Sequence, residues 1–238
     1  MRKYIFIISM VLSFGILASD LAKEKRWAEQ VVDGLLDGED VTLNDGTNDF
    51  LGIFTAADEP KANAIVIHGI GAHPDWPQVI NPVRVGLAEA GINTLSIQMP
   101  VLANEAESSD YDKIMHEAPP RIEAAIAYLN ECCKIKSHIV AHSMGARMSV
   151  YYLNANQNSG INKFVAIGMN KGNDVSKINI PVLDIYGDSD LPGVLQAAPA
   201  RNKILKSPSS KVVIKDADHF MEGQEAELIA AIVKWLGE

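Results

Sequence analysis

The stretch Ile139–Val150, IVAHSMGARMSV, decides how the rest of the chain is read. An apolar, β-branched run stops at His142-Ser143-Met144-Gly145, and apolar residues then resume at helical spacing. Ser143 is either a nucleophile on a strained strand-to-helix turn or a small residue where a strand becomes a helix. Twelve residues cannot separate these readings, so the surrounding pattern must.

Working outward, short apolar runs alternate with amphipathic segments. Ala64–His68, Asn93–Gln98, Ser137–Ala141, Phe164–Met169, Pro181–Tyr186 and Lys211–Lys215 read as strands. Val79–Ala90, Arg121–Cys132, Met144–Asn156, Pro192–Leu205 and Glu222–Leu236 read as helices. That alternation predicts an α/β fold, a mostly parallel sheet with helices on both faces and its active groups at the carboxyl ends of the strands. Earlier in the chain, Asp20–Leu36 reads as a leading helix with Trp27, Val31, Val32, Leu35 and Leu36 on one side. Two extended runs around Val41–Leu43 and Phe50–Thr55 flank the turn-rich NDGTN and predict a hairpin. No linker interrupts the pattern, so residues 20–238 are expected to form a single domain.

The first 19 residues differ. Arg2 and Lys3 precede an apolar run from Tyr4 to Ala18, the layout of a secretory signal peptide and too short for a spanning helix. Cleavage after Ser19 leaves Leu17 where a smaller residue is usual, so an uncleaved anchor is the alternative. Export across an inner membrane into a periplasm is the expected location, with membrane contact only if the segment stays attached. A formal charge of −9 argues against nucleic acid or anionic membrane surfaces as partners. Cys132 and Cys133 are the only cysteines; a bridge between neighbours must close a tight ring, so two thiols are expected.

In the α/β frame, Ala141-His142-Ser143-Met144-Gly145 fits a G-x-S-x-G nucleophile elbow with alanine at the first small position. A serine hydroxyl needs a base, and the base needs an acid to orient it. The loop after the strand VLDIY offers Asp188 and Asp190, and the loop after KVVIK offers His219. Asp190 is preferred because it lies deeper in its loop, whereas Asp188 sits on the turn and Asp184 lies within the strand. Oxyanion donors are expected from the backbone N–H groups of Met144 and Ile70, the latter flanked by Gly69 and Gly71. His68, His73 and Asp75 match no zinc-type spacing, so neither metal nor cofactor is expected.

The segments AIVIHGIG, AHSMG, GDSD and DADHF resemble, in order, the motifs of the α/β-hydrolase superfamily. HGIGAHPDWPQVINPVRVGLAEAGINTLSIQMP is further similar to an uncharacterised, mainly Gram-negative branch marked by HPDWP. The resemblance runs from about Phe50 to the end. It implies the fold and the roles of Ser143 as nucleophile, Asp190 as acid and His219 as base, but no substrate. Relatives often insert a lid after the strand ending near Met169. Only Asn170–Ile180 stand there, so a fairly open cleft is expected, with Val101, Leu102 and Met115 of the Pro100–Ala118 loop forming part of the pocket. The expected function is a serine hydrolase acting on a small-molecule or acyl substrate through a carboxylic ester or thioester. An amidase or peptidase with the same triad, or a binding protein without turnover, are the alternatives.

Overall fold

In the computed structural model, residues 18–205 and 208–237 are described; the proposed signal segment falls almost wholly outside them. Helix α1, Leu21–Gly34, starts where the Asp20 carboxylate accepts the Lys23 N–H at 2.9 Å. Its Val31, with Ala28 and Leu35, packs on Leu51 and Ile53. Val32 and Leu36 do not share that face as the spacing predicts. Both are exposed: Val32 sits within α1 but outside the stripe of Ala28, Val31 and Leu35 that meets the hairpin, and Leu36 lies past the helix end, where the chain turns extended at Leu35.

The hairpin forms from β1, Glu39–Asn44, and β2, Asp49–Thr55, in antiparallel register. Asp45 closes its turn by accepting the N–H groups of Thr47 and Asn48. Then follow β3 (Ala62–Ile67), α2 (Ile80–Glu89), β4 (Ile92–Ile97), α3 (Ala118–Cys132), β5 (Ser137–His142) and α4 (Met144–Ala155). The chain finishes with β6 (Ile161–Ile167), β7 (Val182–Gly187), α5 (Pro192–Ile204), β8 (Ser210–Ile214) and α6 (Glu225–Gly237).

These strands build one sheet in the order β1-β2-β4-β3-β5-β6-β7-β8. From β4 to β8 all neighbours are parallel, and β2 joins β4 antiparallel. Every residue of β3, β4 and β5 is buried, as expected for central strands covered on both faces. One apolar cluster, including Ile65, Leu95, Ile139 and Phe164, fills one side of the sheet. A second, including Val66, Val140, Leu183 and Ile232, fills the other. After β3 the chain crosses to β4 on one side, and β5 returns to the other side of β3. That reversal opens a crevice above β3 and β5, where α/β sheets place their ligands.

Two expectations are corrected. Val101, Leu102 and Met115 do not line an open pocket; all three are buried, Leu102 and Met115 in the first apolar cluster with Tyr111. Two short 3₁₀ turns, Asp110–Lys113 and Met115–Glu117, fold the loop down, and the Tyr111 hydroxyl accepts the Leu102 N–H at 3.0 Å. Cys132 and Cys133 are joined in a disulfide rather than left as thiols. The chain leaves helical geometry at Cys133, with φ −144°, which turns the second side chain toward the first.

Charges buried in the sheet layers are paired. Arg84 meets Asp75 at 2.6 Å and Arg121 meets Glu24 at 2.8 Å. Arg201 grips both oxygens of Asp184 at 3.0 Å each. Asp184 is fully buried, and burial raises its carboxyl pKa against the pull of Arg201. Removing one partner strands the other charge. Asp184→Ala is expected to destabilise the protein by about 3–5 kcal/mol in urea unfolding; a loss below about 1 kcal/mol would show that Arg201 finds water.

Candidate active site

Ser143 occupies the turn from β5 into α4 with φ 54° and ψ −115°, a conformation L-residues rarely adopt. The crowding beneath it explains why. A Cβ on Gly145 would lie 2.6 Å from the Ile67 carbonyl oxygen and against the His68 carbonyl as well, so α4 starts in van der Waals contact with the end of β3. Ala141 stands fully buried between Ile67 and Ala166, where its methyl is accommodated. The Ser143 N–H donates to the Ile167 carbonyl at 2.9 Å, pinning the turn to β6.

The three residues singled out by the sequence pattern meet here. Ser143 Oγ lies 2.9 Å from His219 Nε2, and His219 Nδ1 lies 2.7 Å from Asp190 Oδ1. Both His219 and Asp190 are buried. The Leu191 N–H also donates to Asp190 Oδ1, at 2.7 Å, which holds the carboxylate in place. Asp188 does not join them; it is exposed, and among the described residues its carboxylate accepts the neighbouring Ser189 hydroxyl.

The loop after β3 runs beside the serine. A Cβ on Gly69 would sit 3.2 Å from Ser143 Cβ. His68 orients this loop: its Nδ1–H donates to the Gly69 carbonyl at 2.8 Å, and its Nε2 accepts the Met99 N–H at 2.9 Å. Burial pushes His68 down to about 3, so the ring is neutral in this tautomer. In a trans peptide the C=O and the following N–H point opposite ways. With the Gly69 carbonyl held by His68, the Ile70 N–H faces away from that ring. Met144 opens α4, where the first N–H groups of a helix have no intrahelical acceptor. Neither the Ile70 nor the Met144 N–H bonds to backbone among the described residues.

Two contributors carry no motif signature. His142 is buried, and its Nε2–H donates to the His219 carbonyl at 2.9 Å, tying the His219 loop to β5. Burial, then the neighbouring His219, lower His142 to about 4. In the sequence it stands at a position the elbow pattern leaves unspecified. Gly168, with φ 58°, packs on His219 so closely that a Cβ would come within 2.9 Å of its ring. A glycine just past a strand end was the available signal.

The HPDWP segment, His73–Pro77, braces the scaffold. His73 packs edge-on between Trp27 and Trp76, Asp75 holds Arg84 and Asn81, and the Pro74 carbonyl accepts the Ser96 hydroxyl. Among the described residues no group of three His, Cys, Asp or Glu is placed to hold a metal ion. No large lid crosses the site, since residues 170–180 lead directly from β6 toward β7.

The sheet order and the placement of this site can now be set beside known proteins. A family model described as a protein of unknown function (DUF3530) matches residues 19–120. A dienelactone hydrolase from Anabaena variabilis superposes with a TM-score of 0.69 at 20% identity, covering 83% of this chain and 95% of that one. The fold is that of the α/β hydrolases. An α/β serine hydrolase homologue from Coxiella burnetii gives 0.69 at 17% identity, over 85% and 99% of the two chains. An α/β serine hydrolase without lid from Xanthomonas campestris gives 0.69 at 20%, over 82% and 91%. A search of curated proteins gave no match.

Two outcomes follow from this geometry. At φ 54° a Cβ is strained by about 1–3 kcal/mol, more than the roughly 0.5–1 kcal/mol of entropy that glycine costs. Ser143→Gly is therefore expected to be about 1 kcal/mol more stable than Ser143→Ala by thermal unfolding, reversing the usual order. Second, His68, His138 and His142 are held neutral down to about 3, 4 and 4, each mainly by burial. Unfolded, they take a proton near pH 6.5, so between that value and their folded pKa the unfolded chain binds more protons. Stability is fully present above about pH 6.5 and is expected to fall as pH drops, with a slope approaching 1.4 kcal/mol per unit for each ring. Urea midpoints at pH 7, 6 and 5 test this; a flat profile would contradict it.

Proposed function

We propose that this protein is a serine hydrolase that cleaves a carboxylic ester or thioester through an acyl-enzyme. The observation that carries the reading is the relay Ser143 Oγ–His219–Asp190, at 2.9 and 2.7 Å, on a serine held at positive φ. A buried histidine joining a strained, partly exposed hydroxyl to a buried carboxylate is the arrangement that acyl transfer requires.

In the reaction, His219 Nε2 takes the Ser143 proton as Oγ attacks the carbonyl carbon. Asp190 keeps Nδ1 protonated, fixing the tautomer and stabilising the imidazolium. The Ile70 and Met144 N–H groups donate to the oxyanion. His219 then returns the proton to the departing alcohol or thiol, and water, activated by the same ring, releases the acid. The scheme uses no metal or cofactor. The dienelactone hydrolase among the structural neighbours acts, by its name, on a cyclic ester, which favours esters over amides here. The match to a family of unknown function spans HPDWP, in keeping with the branch that this segment marks. Residues 1–19 are proposed to direct the protein to the periplasm.

A fluorophosphonate probe tests the reading. Native protein is expected to be labelled on Ser143, and both Ser143→Ala and heat-denatured protein are expected to remain unlabelled. Folded wild-type protein that resists the probe would argue for a binding protein instead.

A further inference from the structure

Phe220 follows His219 in the chain and is 41% exposed, while the other described phenylalanines, Phe50, Phe54 and Phe164, are buried or half-buried. A single exposed ring is ordinary on a protein surface, but two observations set this one apart. The first is that its turn holds it outward. The Asp218 carboxylate accepts the Phe220 N–H at 2.8 Å, and the next residue, Met221, takes φ 55° and is fully buried in the second apolar cluster. The turn thus buries the thioether and leaves the aromatic ring in water, through a conformation that L-residues rarely adopt.

The second is that the ring packs on the site. Its centroid lies 5.5 Å from that of His219, the two planes at 74°, and 6.3 Å from that of His142. Asp190 bonds Nδ1 of His219, and a Cβ on Gly168 would come within 2.9 Å of Nδ1 and Cε1. Those two residues close one side of the imidazole and leave Nε2 beside Ser143 Oγ. In acyl transfer Nε2 hands its proton to the departing oxygen or sulfur, so the leaving group must stand against this ring. Phe220 is the exposed apolar surface packed on it.

We propose that Phe220 selects the leaving group: the ester that Ser143 cleaves has an apolar alcohol part, an alkyl or aryl body that lies on the Phe220 ring. This substrate class rests on the serine hydrolase reading above. With no large lid over the site, the ring covers the alcohol from one side. A methylene taken fully out of water gains about fourfold in binding, and one covered on a single side roughly twofold.

The test compares two ester series of nearly constant intrinsic reactivity, ethyl, butyl and hexyl acetate against ethyl acetate, butyrate and hexanoate, with acid release followed at constant pH. From ethyl to hexyl acetate kcat/KM is expected to rise about tenfold. Phe220→Ser is expected to flatten that rise to within about twofold while the dependence on acyl length stays as in the wild type. Phe220→Tyr, which keeps the ring, and Leu36→Ser, which removes an exposed leucine beyond α1, are expected to retain the rise. A ring that merely propped His219 would, when removed, slow both series by the same factor. No rise along the alcohol series, a rise that survives Phe220→Ser, or an equal loss in both series would each overturn the proposal. Labelling by the fluorophosphonate probe separates the two levels. Labelled Ser143 without faster cleavage of hexyl acetate overturns the leaving-group assignment alone, whereas folded protein that resists the probe overturns both.

Discussion

The contact on which the site depends is the close approach of the β5–α4 turn to the end of β3. Gly145 lies against the Ile67 and His68 carbonyls with no room for a side chain. Because α4 must begin there, the preceding residue has to reverse direction within one peptide, and Ser143 takes the positive φ that this demands. The same approach brings Gly69 beside Ser143, so the serine and the loop proposed to supply an oxyanion donor share one steric origin. Both lie at the reversal of strand order, where β4 and β5 leave β3 on opposite sides.

Around this contact the molecule uses neutral histidines as rigid hydrogen-bonding parts. His68 fixes the Gly69 carbonyl, and His142 fixes the carbonyl of His219. Burial keeps both uncharged, which suits them to hold backbone groups without competing with the His219–Asp190 pair for charge. Paired ions do similar work further out. Arg84 ties α2 to the segment His73–Pro77 and to Asp37 and Thr55, while Arg121 ties α3 to α1 through Glu24. The leading helix is thereby joined to Gln98 and His68 through a continuous chain of polar contacts.

Much of this was legible from local pattern. Among the described residues, eight strands and six α-helices fall where β-branched runs and 3.6-residue periods place them. Ser143, Asp190 and His219 were readable because each follows a strand, and strand ends share one edge of a parallel sheet. The leading helix is readable too, but its buried stripe is narrower than the apolar pattern suggests: it excludes Val32, and Leu36 lies beyond the helix end. Val101, Leu102 and Met115 were misassigned for a different reason. Apolar residues in a loop look alike whether they line a cleft or fill a core, and only the fold of the loop distinguishes them. The Cys132–Cys133 disulfide goes with the break in helix geometry at Cys133, which the spacing of two adjacent cysteines does not record.

Sequence alone determined the α/β alternation, the placing of Ser143, Asp190 and His219 after successive strands, and the small residues around the Ser143 turn, because these are constraints between near neighbours or between successive strand ends. The tertiary structure alone decided which histidines serve as fixed props and that Gly168 must be glycine. It alone showed Gln98 buried with its side-chain oxygen unpaired among the described residues. These depend on groups 30 to 77 positions apart being pressed together, and no local period in a chain records which distant groups will share a buried volume.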